Sequence, residues 1–308
     1  MATRAPGEPD AIRAIPVRHW GRWLSGAAVV AALAWLGWSA ARSGFVDGHQ
    51  VRRYQFSPLI LQGLRATVVL AVSAQAAGIV LGVVFAVLRL SRNVVSSWVS
   101  AAYIWFFRGT PVLVQLFFWY NGVPSVWKRV TIAVPFIHTT LYSARTVDFM
   151  TPFMAAFLGL ALNEGAYMAE IVRAGILSVD EGQVEAAQAL GMTPLLIMRR
   201  IVLPQAMQVI VPPTGNEFIS MLKTTSLASA ITYGELLRQS SDIYSSNLEY
   251  VPLLVVASIW YLVLTTVASG GQYLLERRFA RGHVGGGREP GGSPWERVRR
   301  AVGGRPRW

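Results

Sequence analysis

The 308-residue chain is 53% hydrophobic and only 14% charged, with a mean hydropathy of +0.41; soluble proteins carry about a quarter charged residues, so this composition describes an integral membrane protein. Cysteine is absent, which excludes disulfides, thiolate chemistry and Cys-based metal sites, and His19, His49, His138 and His283 are scattered without a ligand cluster. The net charge of +12 is concentrated at the ends, with nine arginines from Arg277 onwards and four before Trp23, as in cytoplasmic membrane flanks and unlike a nucleic-acid-binding surface.

In chain order, residues 1–22 form a basic tail and residues 23–41 (WLSGAAVVAALAWLGWSAA) read as a transmembrane helix. Ser39-Ala40-Ala41 also suits a signal-peptidase site, an alternative that leaves five spans and an external N-terminus. Further spans are expected at about 63–88, 98–120, 149–169, 201–221 and 251–275. The third is interrupted by Arg108-Gly109-Thr110-Pro111 and the fifth by Pro212-Pro213. With both termini inside, eighteen Lys and Arg fall inside and nine outside, leaving Arg108 unassigned. That bias favours a cytoplasmic location for both tails and for residues 185–204. Residues 281–308 are rich in Gly, Arg and Pro and are expected to be a disordered basic tail, with Ser293-Pro294-Trp295-Glu296 as a capping box inside it.

Between the fourth and fifth spans lies EAAQALGMTPLLIMRRIVLP (185–204), polar enough to leave the membrane. Ser178 with Glu181 predicts a capping box, residues 181–190 favour helix, and Gly191 occupies the position of a left-handed helix end. Thr193 then caps a second helix with Pro194 in its first turn. Ala186, Ala187 and Ala189 leave a low surface that suits docking into a partner's groove. A plain connecting hairpin explains the same local signals. Lys128 and Lys223 are the only lysines and neither follows glycine, so the chain holds no GxxxxGK[ST] phosphate loop. If ATP drives the protein, another chain binds it.

Glu185-Ala186-Ala187, Gly191, Ile201 and Leu203-Pro204 stand at the spacing EAAx3Gx9IxLP and resemble the EAA motif of ABC-importer permeases. Tyr103 to Gln115 (YIWFFRGTPVLVQ), Asn163 to Arg173 (NEGAYMAEIVR) and residues 211–229 (VPPTGNEFISMLKTTSLAS) resemble, in order, three signatures of the polar-amino-acid permeases of that class. The resemblance covers about 55–280. It implies an all-α membrane protein of about six transmembrane helices, a five-helix permease domain (55–280) preceded by one extra helix (23–41). A cytoplasmic coupling hairpin at 178–204 would carry Glu185, Ala186, Ala187, Gly191, Ile201, Leu203 and Pro204 to the ATPase.

Two departures from the family pattern stand out. Trp105 replaces an acidic residue that would partner Arg108, and Glu164 replaces a small neutral one. Arg108 is accordingly expected near the cytoplasmic boundary, where Gly109, Thr110 and Pro111 break the helix, as an anchor or a gating residue. Glu164 is expected either to face the pathway or to pair locally with Arg173 or Arg145. A zwitterionic substrate needs polar walls, for which Asn163, Glu164 and Tyr167 are the first candidates and Asn216, Glu217 and Thr225 the next, with Thr224 and Ser226. A pathway-facing Glu164 would favour a cationic substrate such as arginine, lysine or histidine.

The resemblance thus implies a non-enzymatic, multi-pass permease subunit of the bacterial cell membrane. Its partners would be two ATPase subunits carrying ATP-Mg, a second permease copy or paralogue and an extracytoplasmic binding protein, with no cofactor on this chain. Permeases for opines or sulfur amino acids and, on hydropathy alone, a self-sufficient secondary transporter or a membrane sensor are the alternatives.

Overall fold

The computed structural model describes residues 20–42, 47–133 and 140–280. The N-terminal tail before Trp20 and the tail 281–308, with its Ser293 capping box, lie outside the described residues. The chain opens with α1 (Trp20–Arg42), an apolar helix whose described side chains are exposed apart from the half-buried Ser39. α2 (Gly48–Gln55) starts where Asp47 accepts the His49 amide at 2.8 Å, and its last carbonyl accepts the Trp260 indole at 2.8 Å. α3 (Pro58–Arg89) is capped by Ser57 with proline in its first turn, a favoured helix start. Asn93 caps α4 (Val94–Gly109), and the chain then turns by 102° at Thr110-Pro111. It continues as α5 (Val112–Phe117), a wider π-type turn over Phe118–Gly122, and α6 (Val123–Val126).

Among the described residues, one short two-stranded ribbon interrupts the otherwise helical chain. Arg129–Ala133 (β1) and Thr140–Arg145 (β2) pair antiparallel, with Arg129 opposite Arg145. Their base is closed by the Thr146 amide on the Lys128 carbonyl at 3.1 Å and by the Thr146 hydroxyl on the Trp127 carbonyl. α7 (Thr146–Phe149) follows, and the hydrogen bond from Arg145 holds the exposed Asp148 carboxyl below the usual carboxylate range.

α8 (Pro152–Leu177) is followed by α9 (Glu181–Ala189) and α10 (Pro194–Ile197), then by a π-type turn over Met198–Val202 that leads into α11 (Leu203–Thr224). Pro204 lacks the amide that the Arg200 carbonyl would need, which accounts for the widened turn. Pro212 and Pro213 do not end α11, which runs on to a 3₁₀ turn at Thr225–Ile231. α12 (Leu236–Asn247) and α13 (Tyr250–Ala280) complete the described chain.

Among the described residues, three helical stretches are long and apolar enough to cross a membrane: Pro58–Arg89, Pro194–Ile231 and Tyr250–Phe279. The bent pair Val94–Gly109 and Val112–Val126 makes a fourth if it is one span. The expected spans 63–88, 201–221 and 251–275 fall in the first three, and 98–120 in the bent pair. The 23–41 span lies in α1, whose apolar part, Trp23–Ser39, is shorter. The 149–169 span falls in α8 from Pro152 onwards, with its first three residues before that helix; α8 carries Glu164, Glu170 and Arg173 and buries more residues than any other helix.

α3 and α8 form the most extensive helix pair. Ala74, Gly78, Gly82 and Ala86 recur every four residues on the buried face of α3, the spacing that lets helices approach closely in lipid. A Cβ on Gly78 would stand 2.5 Å from Glu164 Cγ, and one on Gly82 would stand 2.3 Å from Met168 Cβ. One core surrounds Leu70, Leu116, Leu160 and Ile231; another joins the end of α8 to the α9–α10 hairpin through Val172, Val179, Ala187, Ile197 and Val202.

Candidate functional site

α8 and α11 enclose a cavity of about 340 Å³. Asn163, Glu164 and Tyr167 contribute from α8, and Glu217, Ser220 and Thr224 from α11, with Val112 of α5 on the third side. Helical periodicity explains the selection: residues three and four apart share a face, which groups 163, 164 and 167 and aligns 217, 220 and 224.

Two sequence candidates stand elsewhere. Asn216 is exposed on the neighbouring face of α11, and its Oδ1 accepts Gln272 Nε2 of α13 at 3.1 Å. Thr225 is fully buried at the start of the 3₁₀ turn, with its hydroxyl donating to the Leu222 carbonyl at 2.8 Å. Neither lines the cavity. The Ser226 hydroxyl is likewise spent on the Lys223 carbonyl at 2.7 Å.

Asn163 is at the cavity wall, but its amide nitrogen has a structural partner. Pro111 has no N–H to offer the Phe107 carbonyl four residues earlier, so the break at Thr110-Pro111 orphans that acceptor. Asn163 Nδ2 donates to it at 2.7 Å, and Gln115 Nε2 donates to the same carbonyl at 3.0 Å and to Thr110 Oγ1 at 2.8 Å. In lipid an unpaired carbonyl costs several kcal/mol; these two amides let the helix break there. Tyr103 adds a further α4–α8 tie, its hydroxyl donating to the Leu162 carbonyl at 2.7 Å.

Glu164 is 4% exposed, and Gln75 Nε2 of α3 donates to its Oε1 at 3.0 Å. The expected local pairing is corrected. Arg173 is bound to Glu170 at 2.6 Å and Arg145 to Asp148 at 2.9 Å. Both arginines have acids three residues away, and short-range partners win over a distant one.

Arg108 stands in the last turn of α4. It sits at the far end of the 16-residue α4 from the Arg89–Asn93 turn, beside the middle of α8, with its guanidinium 5.0 Å from the centre of the Tyr167 ring. A cation over an aromatic face is stabilised without an anion. Trp105 is 77% exposed.

Sequence reasoning missed Gln75, Ser220 and the structural use of Gln115. An amide, two residues after Ser73, within an otherwise apolar run was the available signal for Gln75. It also missed Glu235, which is fully buried and caps α12 by accepting the Leu237 and Arg238 amides at 2.9 and 2.7 Å and the Tyr261 hydroxyl at 2.7 Å.

The hairpin between α8 and α11 forms from local chemistry. Ser178 ends α8 by donating to the Gly175 carbonyl at 2.7 Å, and Asp180 caps α9 through the Gly182 amide at 2.9 Å, in place of the expected Ser178–Glu181 box. Gly191 has φ +76°, with its amide on Gln188 and the Met192 amide on Ala187, a Schellman end. Glu185, Ala186, Gly191, Leu203 and Pro204 are exposed, while Ile201 is half-buried. Ala187 faces inward at 4% exposure, so the low outer surface belongs to Ala186 and Ala189. Leu190 and Leu195 project at 82% and 78% exposure, two apolar side chains left uncovered among the described residues.

Residues 78–281 match the family described as the inner membrane component of binding-protein-dependent transport systems, and the chain belongs to it. It is a multi-pass component of the cell membrane. The arginine transport system permease protein ArgU of Corynebacterium glutamicum is 46% identical over 89% of this chain and 85% of its own. The glutamine transport system permease protein GlnP of Escherichia coli is 32% identical over 72% of this chain and 93% of its own. A crystal structure of an amino acid ABC transporter with histidines superposes with a TM-score of 0.63 at 38% identity, covering 76% of this chain and 99% of that one. The class is that of ABC-importer permeases, and a secondary transporter or a sensor is not favoured.

Proposed function

We propose that this chain is the permease subunit of an ATP-driven importer of cationic amino acids, arginine foremost. The observation that carries the reading is that two carboxylates, Glu164 of α8 and Glu217 of α11, line the same cavity. A cationic side chain gains from them, whereas a neutral or acidic one leaves them uncompensated in a medium of low dielectric. Arg108, at the adjoining Tyr167 ring, is suited to the substrate carboxylate. ArgU, a relative named for arginine, supports the same class.

Two permease copies, or this chain with a paralogue, would form the pathway, and an extracytoplasmic binding protein would deliver substrate. Both termini and the 178–204 hairpin would be cytoplasmic, with 23–41 as an extra span and 55–280 as the permease domain. Two separate ATPase subunits carrying ATP-Mg would receive α9, with Glu185, Ala186, Gly191 and the exposed Leu190 and Leu195 in the contact. Closure of the ATPase pair would push the hairpin, and its core of Val172, Ala187 and Val202 would transmit the movement to α8 and α11, the walls of the cavity. Reconstitution with the ATPase and the binding protein tests the reading. ATP-dependent arginine uptake should fall by about tenfold or more in Glu164→Gln, on the scale of one lost charge contact; unchanged uptake of every amino acid in that variant overturns it.

A further inference from the structure

Gln75 lies outside the cavity, on the buried face of α3, and is 5% exposed. Its Nε2 donates to Glu164 Oε1 at 3.0 Å, and its own Oε1 has no hydrogen-bond partner among the described residues, so the carboxylate is the group that orients this amide. Glu164 makes no ion pair among the described residues. One turn along the same face is Gly78, where a Cβ would come within 2.5 Å of Glu164 Cγ and 2.7 Å of its Cβ. α3 therefore fixes both ends of the side chain: Gln75 holds the head and the bare Gly78 leaves room for the stem.

The chemistry of the partner matters. A buried carboxylate at membrane depth needs a donor. A guanidinium or ammonium would satisfy it and cancel its charge. A neutral amide satisfies one oxygen without cancelling the charge of a side chain that lines the cavity.

We infer that Gln75 is a specificity-determining positioning residue, which holds Glu164 as an un-neutralised carboxylate so that the cavity distinguishes a cationic side chain from a neutral one of the same shape. This rests on the cation-selective reading of the cavity given above.

The probes are L-arginine and L-citrulline, whose ureido group replaces the guanidinium at nearly equal shape. Their binding is measured on the assembled permease–ATPase complex in nanodiscs, without the binding protein, so that the receptor's own selectivity does not enter. Wild type is expected to prefer arginine. In Gln75→Met, which keeps length and removes the donor, the arginine-to-citrulline affinity ratio should fall by about tenfold, with citrulline affinity unchanged. Gln75→Lys, which supplies a cation to Glu164, should lose the preference as well and serves if the methionine variant does not assemble. A parallel loss of affinity for both ligands, or a retained preference in either variant, overturns the inference. Glu164→Gln separates the two levels. If arginine preference survives in it, the cation-selective reading of the cavity fails. If it is lost there but kept in Gln75→Met, only the role of Gln75 fails.

Discussion

Asn163 shows how a polar residue on a pathway wall can serve the backbone first. Its Nδ2 meets the carbonyl that Pro111 leaves without a donor, and Gln115 shares the task. Replacing Asn163 with leucine should lower the thermal stability of the purified permease by about 1–3 kcal/mol, the cost of an under-satisfied buried acceptor. Gln115 remains in that variant, so the effect should fall short of the Asn163→Leu, Gln115→Leu double change, which thermal unfolding in detergent will show. Gly78 makes a second residue-scale case. Gly78→Ala forces a methyl group against Glu164, and the neighbour there is the root of the side chain, which cannot swing away. Overpacking of this kind costs about 1–3 kcal/mol, and a drop in melting temperature accompanied by weaker arginine binding is expected.

At the scale of the element, the hairpin from Ser178 to Pro204 is built from signals that a reader of the sequence can see. Gly191 takes φ +76°, where a side chain is strained by about 1–2 kcal/mol. Gly191→Val should therefore loosen the α9 end and reduce co-purification of the ATPase, while the chain still inserts in the membrane; pull-down of the ATPase against membrane yield measures both. Assembly and transport at wild-type levels in that variant would remove the hairpin from the coupling role. The caps themselves were less legible. Ser178, Asp180 and Glu181 lie within four residues, and either Ser178 or Asp180 can start a helix; the choice went to Asp180 because α8 persists to Leu177 and uses Ser178 to close its own end. The β1–β2 pair was not anticipated, since a two-stranded ribbon on a membrane protein leaves little trace beside long apolar runs.

For the whole molecule, the proposed orientation has a direct test, aided by the absence of cysteine. Gln188→Cys in α9 should react with a membrane-impermeant maleimide only from the cytoplasmic side, and Lys128→Cys, beside β1, only from outside. The opposite labelling pattern overturns the proposed topology. Vesicles holding this permease alone should import no arginine with or without ATP, since no phosphate loop is present in the chain.

The amino-acid sequence by itself determined the membrane class, the lack of a GxxxxGK[ST] phosphate loop, the Gly191 turn and the helix start at Pro194, where the Thr193 side chain makes no capping hydrogen bond. Each follows from composition or from chemistry within a few residues, where partners are fixed by chain connectivity. Tertiary structure alone decided that Gln75 meets Glu164 across 89 residues, that Arg108 stacks on Tyr167, and that Ala187 faces inward. It also separated Glu217 and Thr224 on the cavity from Asn216 and Thr225 beside them. Those outcomes depend on helix rotation and on which helices touch. The close approach of α3 to α8, permitted by Gly78 and Gly82, sets the α3–α8 contact, and no local signal specifies which residues it brings together.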